Sequence, residues 1–206
     1  MFRLETDFKD YYDHCFDKEG SSVYRRFIEA GRMDRVDALN FLSTHGIKTV
    51  NFGPFRKFAG EPNRKFVVYT NPSLHDFRGK HIYTFNEVQS QYQNYLVSEF
   101  LEEFNGYTVK YLQVGERRFR MMFYNANFKD ELKEGVCVAF EELPRQYNYA
   151  IGLPIYSIDY ISNSSEMVAV DFNEVQRLNT IGIDKVMSPE DVATEVKNAL
   201  IAYNKA

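Results

Sequence analysis

The sequence predicts an α+β protein in which helices flank antiparallel sheet. Short runs of β-branched and aromatic residues, bounded by turn residues, recur from Ile47 to Phe172. Fewer stretches show the apolar spacing of a helix, and the clearest ones lie towards the two ends of the chain. The chain has 206 residues, of which 15 are Tyr, 18 are Phe and 44% are hydrophobic. That is enough to bury a core with many aromatic positions.

The N-terminal part, Met1 to Leu42, is predicted to be mostly helical. Apolar residues stand at helical spacing in RMDRVDALNFLSTHG, and Gly46 is a plausible stop signal. The positions that form this stripe are Met33, Val36, Leu39 or Asn40, and Leu42.

The middle of the chain is predicted to alternate between short strands and breaker-rich loops. One helix, Asn86 to Tyr95, is predicted among them with Asn86 as its cap. A hairpin or meander is predicted to turn at Gly115 and Glu116, and VCVAF is a further strand-like run. The other predicted strands are Ile47 to Phe52, Lys65 to Tyr69, His81 to Phe85 and Leu96 to Leu101.

A C-terminal helix is the clearest single element. Ser188 is placed to cap it, Pro189 occupies its first turn, and Glu190 and Asp191 complement the positive end of the helix dipole. The predicted buried stripe is Val192, Val196, Leu200 and Tyr203.

The segment from Pro154 to Asn173 carries the best hint of chemistry. It is predicted to form two strands joined by a polar turn, which brings Asp159 near Asp171 and Asn173. Asp171 and Asn173 are two residues apart and therefore project from one face of the strand. Three such oxygen donors suit Mg²⁺. The alternative is that they only cap strands and turns, although an unpaired carboxylate among Val, Ile and Phe is costly to bury.

Arginines follow the predicted turn at Gly115. Strand alternation sends Arg118 and Arg120 to one face and Arg117 to the other. The pair on one face could neutralise a triphosphate, or all three could line a solvated sheet face, which is the commoner arrangement.

Charge and cysteine content exclude several classes of function. Lys plus Arg is 25 and Asp plus Glu is 29, which gives 25 − 29 = −4 and makes nonspecific nucleic-acid binding a poor candidate. Cys15 and Cys137 stand in no metal-binding spacing, and no apolar run is long enough to span a membrane. These features predict reduced thiols in a cytoplasmic protein.

The order of these segments resembles the ATP-grasp superfamily of carboxylate–amine ligases. Asp171-Phe172-Asn173 stands where that family has Glu-x-Asn, and Arg35 stands where it often has a lysine. The resemblance covers residues 34 to 203 and implies a two-lobed protein that binds ATP and Mg²⁺. Five segments carry it: DRVDALNFLSTHGIKTV, KFVVYTNPSLHDFRGKHIYTF, YLVSEFL, VKYLQVGERRFRMMFYN, and IYSIDYI with MVAVDFNEVQRLNTIGID.

The resemblance also implies roles for individual residues and a division of the chain. It implies an N-terminal segment at 1–33, a first lobe at 34–95 and a second lobe at 96–206. The roles are magnesium binding by Asp159, Asp171 and Asn173, phosphate contacts by Lys65, Lys80 and Arg120, and adenine contacts by the backbone of Glu99, Phe100 and Leu101. Arg118 and Arg120 are expected to be catalytic residues.

The chain departs from the family pattern at the phosphate site. The strand KFVVY is followed by Thr70-Asn71-Pro72 where the family has a lysine, and the next loop holds only Gly79. Three hypotheses therefore stand. The protein is an ATP- and magnesium-dependent ligase that joins a carboxylate to an amine or thiol, a catalytically silent relative that serves as a binding module, or an unrelated α+β protein.

Overall fold

The computed structural model describes residues 33–71, 79–133, 135–153, 155–163, 165–173 and 187–205. The helix predicted before Met33 and the loop at 72–78 lie outside the described residues. The described part forms two antiparallel sheets and three α-helices, with a short 3₁₀-helix and a π-helical turn, which confirms the α+β class. The elements are α1 (Arg35–Thr44), β1 (Phe52–Pro54), β2 (Lys65–Tyr69), β3 (Lys80–Thr84), α2 (Phe85–Glu87), β4 (Leu96–Glu99), β5 (Tyr107–Val114), β6 (Arg117–Tyr124), β7 (Val136–Glu142), β8 (Ile155–Ser162), β9 (Met167–Asn173) and α3 (Pro189–Lys205).

The first sheet has four strands in the order β1-β4-β2-β3. Val67 on β2 lies opposite Ile82 on β3 and Ser98 on β4, so these three side chains share one face. The other face packs over a small apolar core. That core consists of Phe55, Phe66, Val68, Val88 and Val97.

The second sheet has five strands in the order β7-β6-β5-β8-β9, so neighbours in the sequence are mostly neighbours in space. The predicted turn between β5 and β6 is confirmed, and Gly115 adopts a φ of 57° there. The predicted hairpin of β8 and β9 is confirmed as well. One face of this sheet forms the main core with α1, through residues such as Tyr111, Tyr156, Ile158 and Phe172.

Helix α1 starts and ends as its sequence requires. The side chain of Asp34 accepts hydrogen bonds from the backbone amides of Val36 and Asp37 at 2.8 and 2.9 Å. Gly46 follows the helix with a φ of 73°, a conformation that favours glycine. The buried face consists of Ala38, Leu39 and Leu42, and Arg35 is buried at the first position.

Two predicted elements differ from the structure. The helix predicted from Asn86 begins at Phe85 instead, because Thr84 and Glu87 form a reciprocal capping box, and a π-helical turn follows at Val88–Tyr92. The strand predicted from Ile47 to Phe52 is wrong in its extent. That segment makes an isolated parallel bridge between Thr49 and Ala169, and the regular strand β1 begins only at Phe52.

The cap of the C-terminal helix is confirmed, since the Ser188 hydroxyl accepts from the Asp191 amide at 3.1 Å. Val196 and Leu200 are buried as predicted. Tyr203 is 45% exposed, so its assignment to the buried stripe is wrong. Helical spacing places a residue on a face but does not tell how far the neighbouring sheet extends.

Candidate functional site: a cleft between the two sheets

A cavity of about 140 Å³ lies between the two sheets. Val67 and Tyr69 line it from the first sheet, and Ile161 and Val170 line it from the second. Its wall is mainly apolar, and a cavity of roughly 150 Å³ is known to accept a single aromatic ring. The size and lining therefore suit one flat ring.

The segment after β4 forms one edge of this cavity. Glu99, Phe100 and Leu101 line it, but the Glu99 side chain turns to the opposite face and pairs with Arg64. The Phe100 amide donates to the carbonyl of Lys65 at 3.3 Å. Within the described part of the chain, the Leu101 amide donates to no backbone carbonyl. The backbone at this edge therefore offers hydrogen-bonding groups to a ring in the cavity.

Two carboxylates meet beside the cavity. Asp159 on β8 lies directly opposite Asp171 on β9, and a bulge at this point leaves Val170 as an extra residue in β9. Bulges of this kind redirect side chains, and they are common next to active sites. Asn173 projects from the same face two residues further on, opposite Ser157.

Asp171 is only 3% exposed and is held by two cations. The Nη1 atom of Arg35 lies 2.5 Å from its Oδ1, and the Nζ atom of Lys80 lies 3.6 Å from its Oδ2. Lys80 comes from the first sheet and Asp171 from the second, so this contact joins the two sheets across the cleft. Burial lowers the pKa of Lys80, and Asp171 partly offsets that effect.

Arg35 is fully buried and its guanidinium lies 5.2 Å from the centre of the Tyr69 ring. Burial, the largest single effect, disfavours its charge, but Asp171, Tyr69 and Asp159 together outweigh it, so the pKa of Arg35 is raised. Among the described residues, its Nε and Nη2 atoms have no hydrogen-bond partner. Two buried donors without acceptors among these residues are costly.

Sequence reasoning missed Lys110. It lies opposite Asp159 in the sheet, and its Nζ atom is 2.6 Å from Asp159 Oδ1. Lys110 is the single charged residue in the apolar strand Tyr107–Val114. A charge in such a strand was the available signal, but its meaning depends on the pairing register with β8.

Three predicted site residues do not join this cluster. Lys65 lies at the far end of β2, four residues or roughly 13 Å from Tyr69, and pairs with Glu102 at 3.2 Å. Arg118 and Arg120 share a face, as predicted, but it is the face turned away from Asp159 and Asp171. Phosphate contacts by these three residues thus find no support in the geometry.

Arg118 and Arg120 are held by other contacts, a hydrogen bond to a backbone carbonyl and an ion pair. Arg118 is buried and donates to the Glu116 carbonyl at 2.6 Å, while Arg120 pairs with Glu141 at 2.5 Å. Lys80 and the segment Glu99–Leu101, in contrast, line the cavity, and their contacts with phosphate and adenine stay predictions.

The side chains beside the cavity include the kinds of oxygen ligand that bind magnesium. Asp159 and Asp171 supply carboxylate oxygens and Asn173 supplies an amide oxygen, which are ligands that this ion prefers. Within the described ranges, no group of three His, Cys, Asp or Glu side chains is placed to hold a metal ion. The candidate set therefore consists of two carboxylates and one amide, and Arg35, Lys80 and Lys110 more than neutralise its two negative charges.

Known structures share this fold. The D-alanine–D-alanine ligase from Bacillus anthracis complexed with ATP is 11% identical, with a TM-score of 0.53 over 84% of this chain and 67% of that chain. A RimK domain ATP-grasp protein from Sphaerobacter thermophilus is 13% identical, with a TM-score of 0.51 over 82% and 66%. The biotin carboxylase domain of the 2-oxoglutarate carboxylase from Hydrogenobacter thermophilus, in complex with MgADP and bicarbonate, is 13% identical, with a TM-score of 0.51 over 81% and 45%.

The present chain thus has an ATP-grasp fold, and it spans between 45% and 68% of the length of five solved proteins that it matches with TM-scores above 0.5. No protein-family model matches the sequence, and no curated protein matches it. In the described part of the chain, no helix combines the length and apolarity that a membrane crossing needs.

Proposed function

We propose that this protein is an ATP- and magnesium-dependent ligase that activates a carboxylate as an acyl phosphate, which an amine or thiol then attacks. The observation that carries the proposal is the cleft itself. A ring-sized apolar cavity opens beside a partly buried cluster of three cations and two carboxylates, with the two sheets contributing to both. Apolar sites with a few convergent polar groups are typical ligand sites.

The adenine ring is assigned to the cavity. Val67 and Val170 cover its two faces from opposite sheets, and the backbone of Glu99 to Leu101 meets its polar edge. The Glu99 side chain is excluded from this contact because it pairs with Arg64 on the other face. Every residue has the same backbone groups, so recognition of adenine by the backbone requires no particular side chains at this edge.

The phosphates are assigned to Lys80, Arg35 and Lys110. The end of β2 lacks a lysine, but Lys80 on the neighbouring strand lies directly opposite Tyr69 and reaches the cleft from there. The Nε and Nη2 donors of Arg35, which have no acceptor in the part of the chain that the structure describes, suit bidentate binding of a phosphate. These cations would neutralise the negative charge that builds up during phosphoryl transfer.

Asp159, Asp171 and Asn173 would hold magnesium. The ion would neutralise phosphate charge and align the transferred group with the carboxylate. The residues of the chain would act by binding and orientation, since phosphoryl transfer depends chiefly on positioning and charge neutralisation.

A catalytically silent nucleotide-binding module is the second candidate. Its support is the strand end Tyr69-Thr70, which lacks the family's lysine. Such a protein would bind nucleotide in the same cleft without transferring phosphate, so binding and chemistry must be tested apart.

Nucleotide binding is tested by blocking the cavity without touching a charge. Val67→Phe fills the space between the sheets, and Val138→Phe adds the same ring at an exposed site, 54% accessible on β7, as the matched control. Calorimetric titration with ADP and Mg²⁺ should show binding to the wild type and to Val138→Phe, and at least about tenfold weaker binding to Val67→Phe. Absence of binding to the wild type, or equal binding to both variants, would contradict the proposal.

Ligase chemistry is tested with hydroxylamine, an amine nucleophile that converts acyl phosphates to hydroxamates. The protein, ATP and Mg²⁺ are incubated with pools of amino acids and short acidic peptides. A ligase should give ATP-dependent hydroxamate and equimolar ADP with one pool. Nucleotide binding without ADP release from any pool would favour the silent module.

A further inference from the structure

Lys80 lies beside one of the candidate metal ligands, Asp171. Its ammonium is 3.6 Å from Asp171 Oδ2, while Arg35 Nη1 and the Phe172 amide both contact Oδ1, at 2.5 and 2.9 Å. The two oxygens of one buried carboxylate thus have different surroundings. Oδ1 is fixed by the Phe172 amide of the second sheet and by Arg35 of the helix packed on it, and Oδ2 faces a lysine from the first sheet.

The charge of the cleft disfavours a metal ion that arrives alone. Arg35, Lys80 and Lys110 contribute three positive charges, and Asp159 and Asp171 contribute two negative charges, so this cluster has a net charge of 3 − 2 = +1. A divalent cation entering it would meet an ammonium beside one of its ligands. A polyphosphate entering it would meet an excess of positive charge and the unpartnered donors of Arg35.

We infer that Lys80 is a placeholder cation, which holds Asp171 in the nucleotide-free cleft and moves to the polyphosphate when nucleotide binds, so that the divalent metal binds tightly only together with nucleotide. Only the second half of this inference, the move of Lys80 to the polyphosphate and the joint binding of metal and nucleotide, rests on the proposed function. Its first half, that Lys80 competes with metal for Asp171, concerns the free protein.

The placement of Lys80 in the first sheet gives the exchange a structural consequence. The Lys80–Asp171 contact spans the cleft, so it holds the two sheets together before a ligand arrives. Once the ammonium binds a phosphate lying between the sheets, metal at Asp159 and Asp171 takes over the neutralisation of the carboxylates. The ligand then holds the two sheets together in place of the ion pair between Lys80 and Asp171.

The test measures metal binding to the free protein. Mn²⁺ is titrated into the full chain without nucleotide, and the free ion is followed by electron paramagnetic resonance. Lys80→Met removes the charge and keeps the length of the side chain. Lys48→Met is the matched control, because Lys48 also pairs with a carboxylate, Glu166 at 2.5 Å, but on the surface and away from the cleft.

Lys80→Met should bind Mn²⁺ on the order of tenfold tighter than the wild type, since a unit charge about 4 Å away is worth at least that in a partly buried site. Lys48→Met should match the wild type. Adding Asp159→Asn to Lys80→Met should remove the gain, which locates it in the cleft. Circular dichroism and thermal unfolding establish that each variant is folded.

Two results would overturn the inference. One is a folded Lys80→Met protein that binds Mn²⁺ no tighter than the wild type. The other is a wild type that binds ADP but binds Mn²⁺ equally well with and without it, after correction for the Mn²⁺–ADP complex in solution. If ADP binds to neither protein but Lys80→Met still gains Mn²⁺ affinity, the proposed function fails while the competition for Asp171 stands.

Discussion

The buried ion pair between Arg35 and Asp171 gives the sharpest stability prediction. Asp171→Asn keeps the size of the side chain and removes its charge, which leaves a fully buried guanidinium without a counter-ion. Breaking one partner of a buried pair costs about 3–5 kcal/mol of the free energy of unfolding. Lys80 adds to this cost, because its ammonium 3.6 Å from Oδ2 also loses its carboxylate.

The control breaks an exposed pair of the same kind. Arg120 and Glu141 approach to 2.5 Å as well, but their side chains are 52% and 48% exposed. Glu141→Gln should therefore cost only about 0–1 kcal/mol. The two substitutions change the same number of charges, so the difference between them reports burial.

The assay is equilibrium unfolding in urea, followed by circular dichroism. It compares Asp171→Asn, Arg35→Met and the double variant that combines them, with Glu141→Gln as the exposed control. The double variant should lose less stability than the two singles added together, because it no longer buries a lone charge. A cost below about 1 kcal/mol for Asp171→Asn, or strict additivity in the double variant, would refute the assignment of a buried, coupled pair.

Three further predictions concern the fold. Leu39→Ala, at a side chain with 0% exposure beneath the second sheet, should cost about 2–5 kcal/mol in urea unfolding, and a loss below 1 kcal/mol would contradict its place in the core. Gly106→Ala should cost about 2 kcal/mol or more, since φ is 84° and the new Cβ would lie 2.5 Å from the Asn125 carbonyl oxygen; an unchanged melting temperature would contradict this. Arg117 binds Glu142 through two hydrogen bonds and lowers the pKa of that carboxyl, so this stabilisation is present above the ordinary glutamate pKa and is lost as the pH falls through the lowered one. Unfolding free energies measured between about pH 5 and pH 3 should show a smaller acid-induced loss for Glu142→Gln than for the wild type, and equal slopes would contradict the pairing.

The sequence predicts the strands well where the signal is local. Turn residues around Gly115 and the polar turn before Ser165 mark two hairpins, and both pair as expected. The start of the helix after β3 was misplaced because Asn86 is also a good cap. Thr84 is the cap in the structure because it forms reciprocal hydrogen bonds with Glu87. The pattern of residue types does not show that this cap is favoured over Asn86.

The candidate site depends more on pairing between distant strands. Asp159 and Asp171 were predicted to meet because a hairpin joins them, and they do lie in register. Lys110 was missed because it reaches Asp159 only through the pairing of β5 with β8, strands more than 40 residues apart. Arg118 and Arg120 were correctly placed on one face, but alternation alone does not tell which face borders the cleft.

The most direct test of the central claim is the shift in thermal unfolding caused by ATP with Mg²⁺, compared with Mg²⁺ alone. A ligand that binds only the folded state at a hundredfold its dissociation constant adds about 2.7 kcal/mol of stability, which is a clear rise in melting temperature. The account predicts this rise with ATP and Mg²⁺ together and little change with Mg²⁺ alone. An unchanged melting temperature at millimolar ATP would contradict a nucleotide site in the cleft between the two sheets.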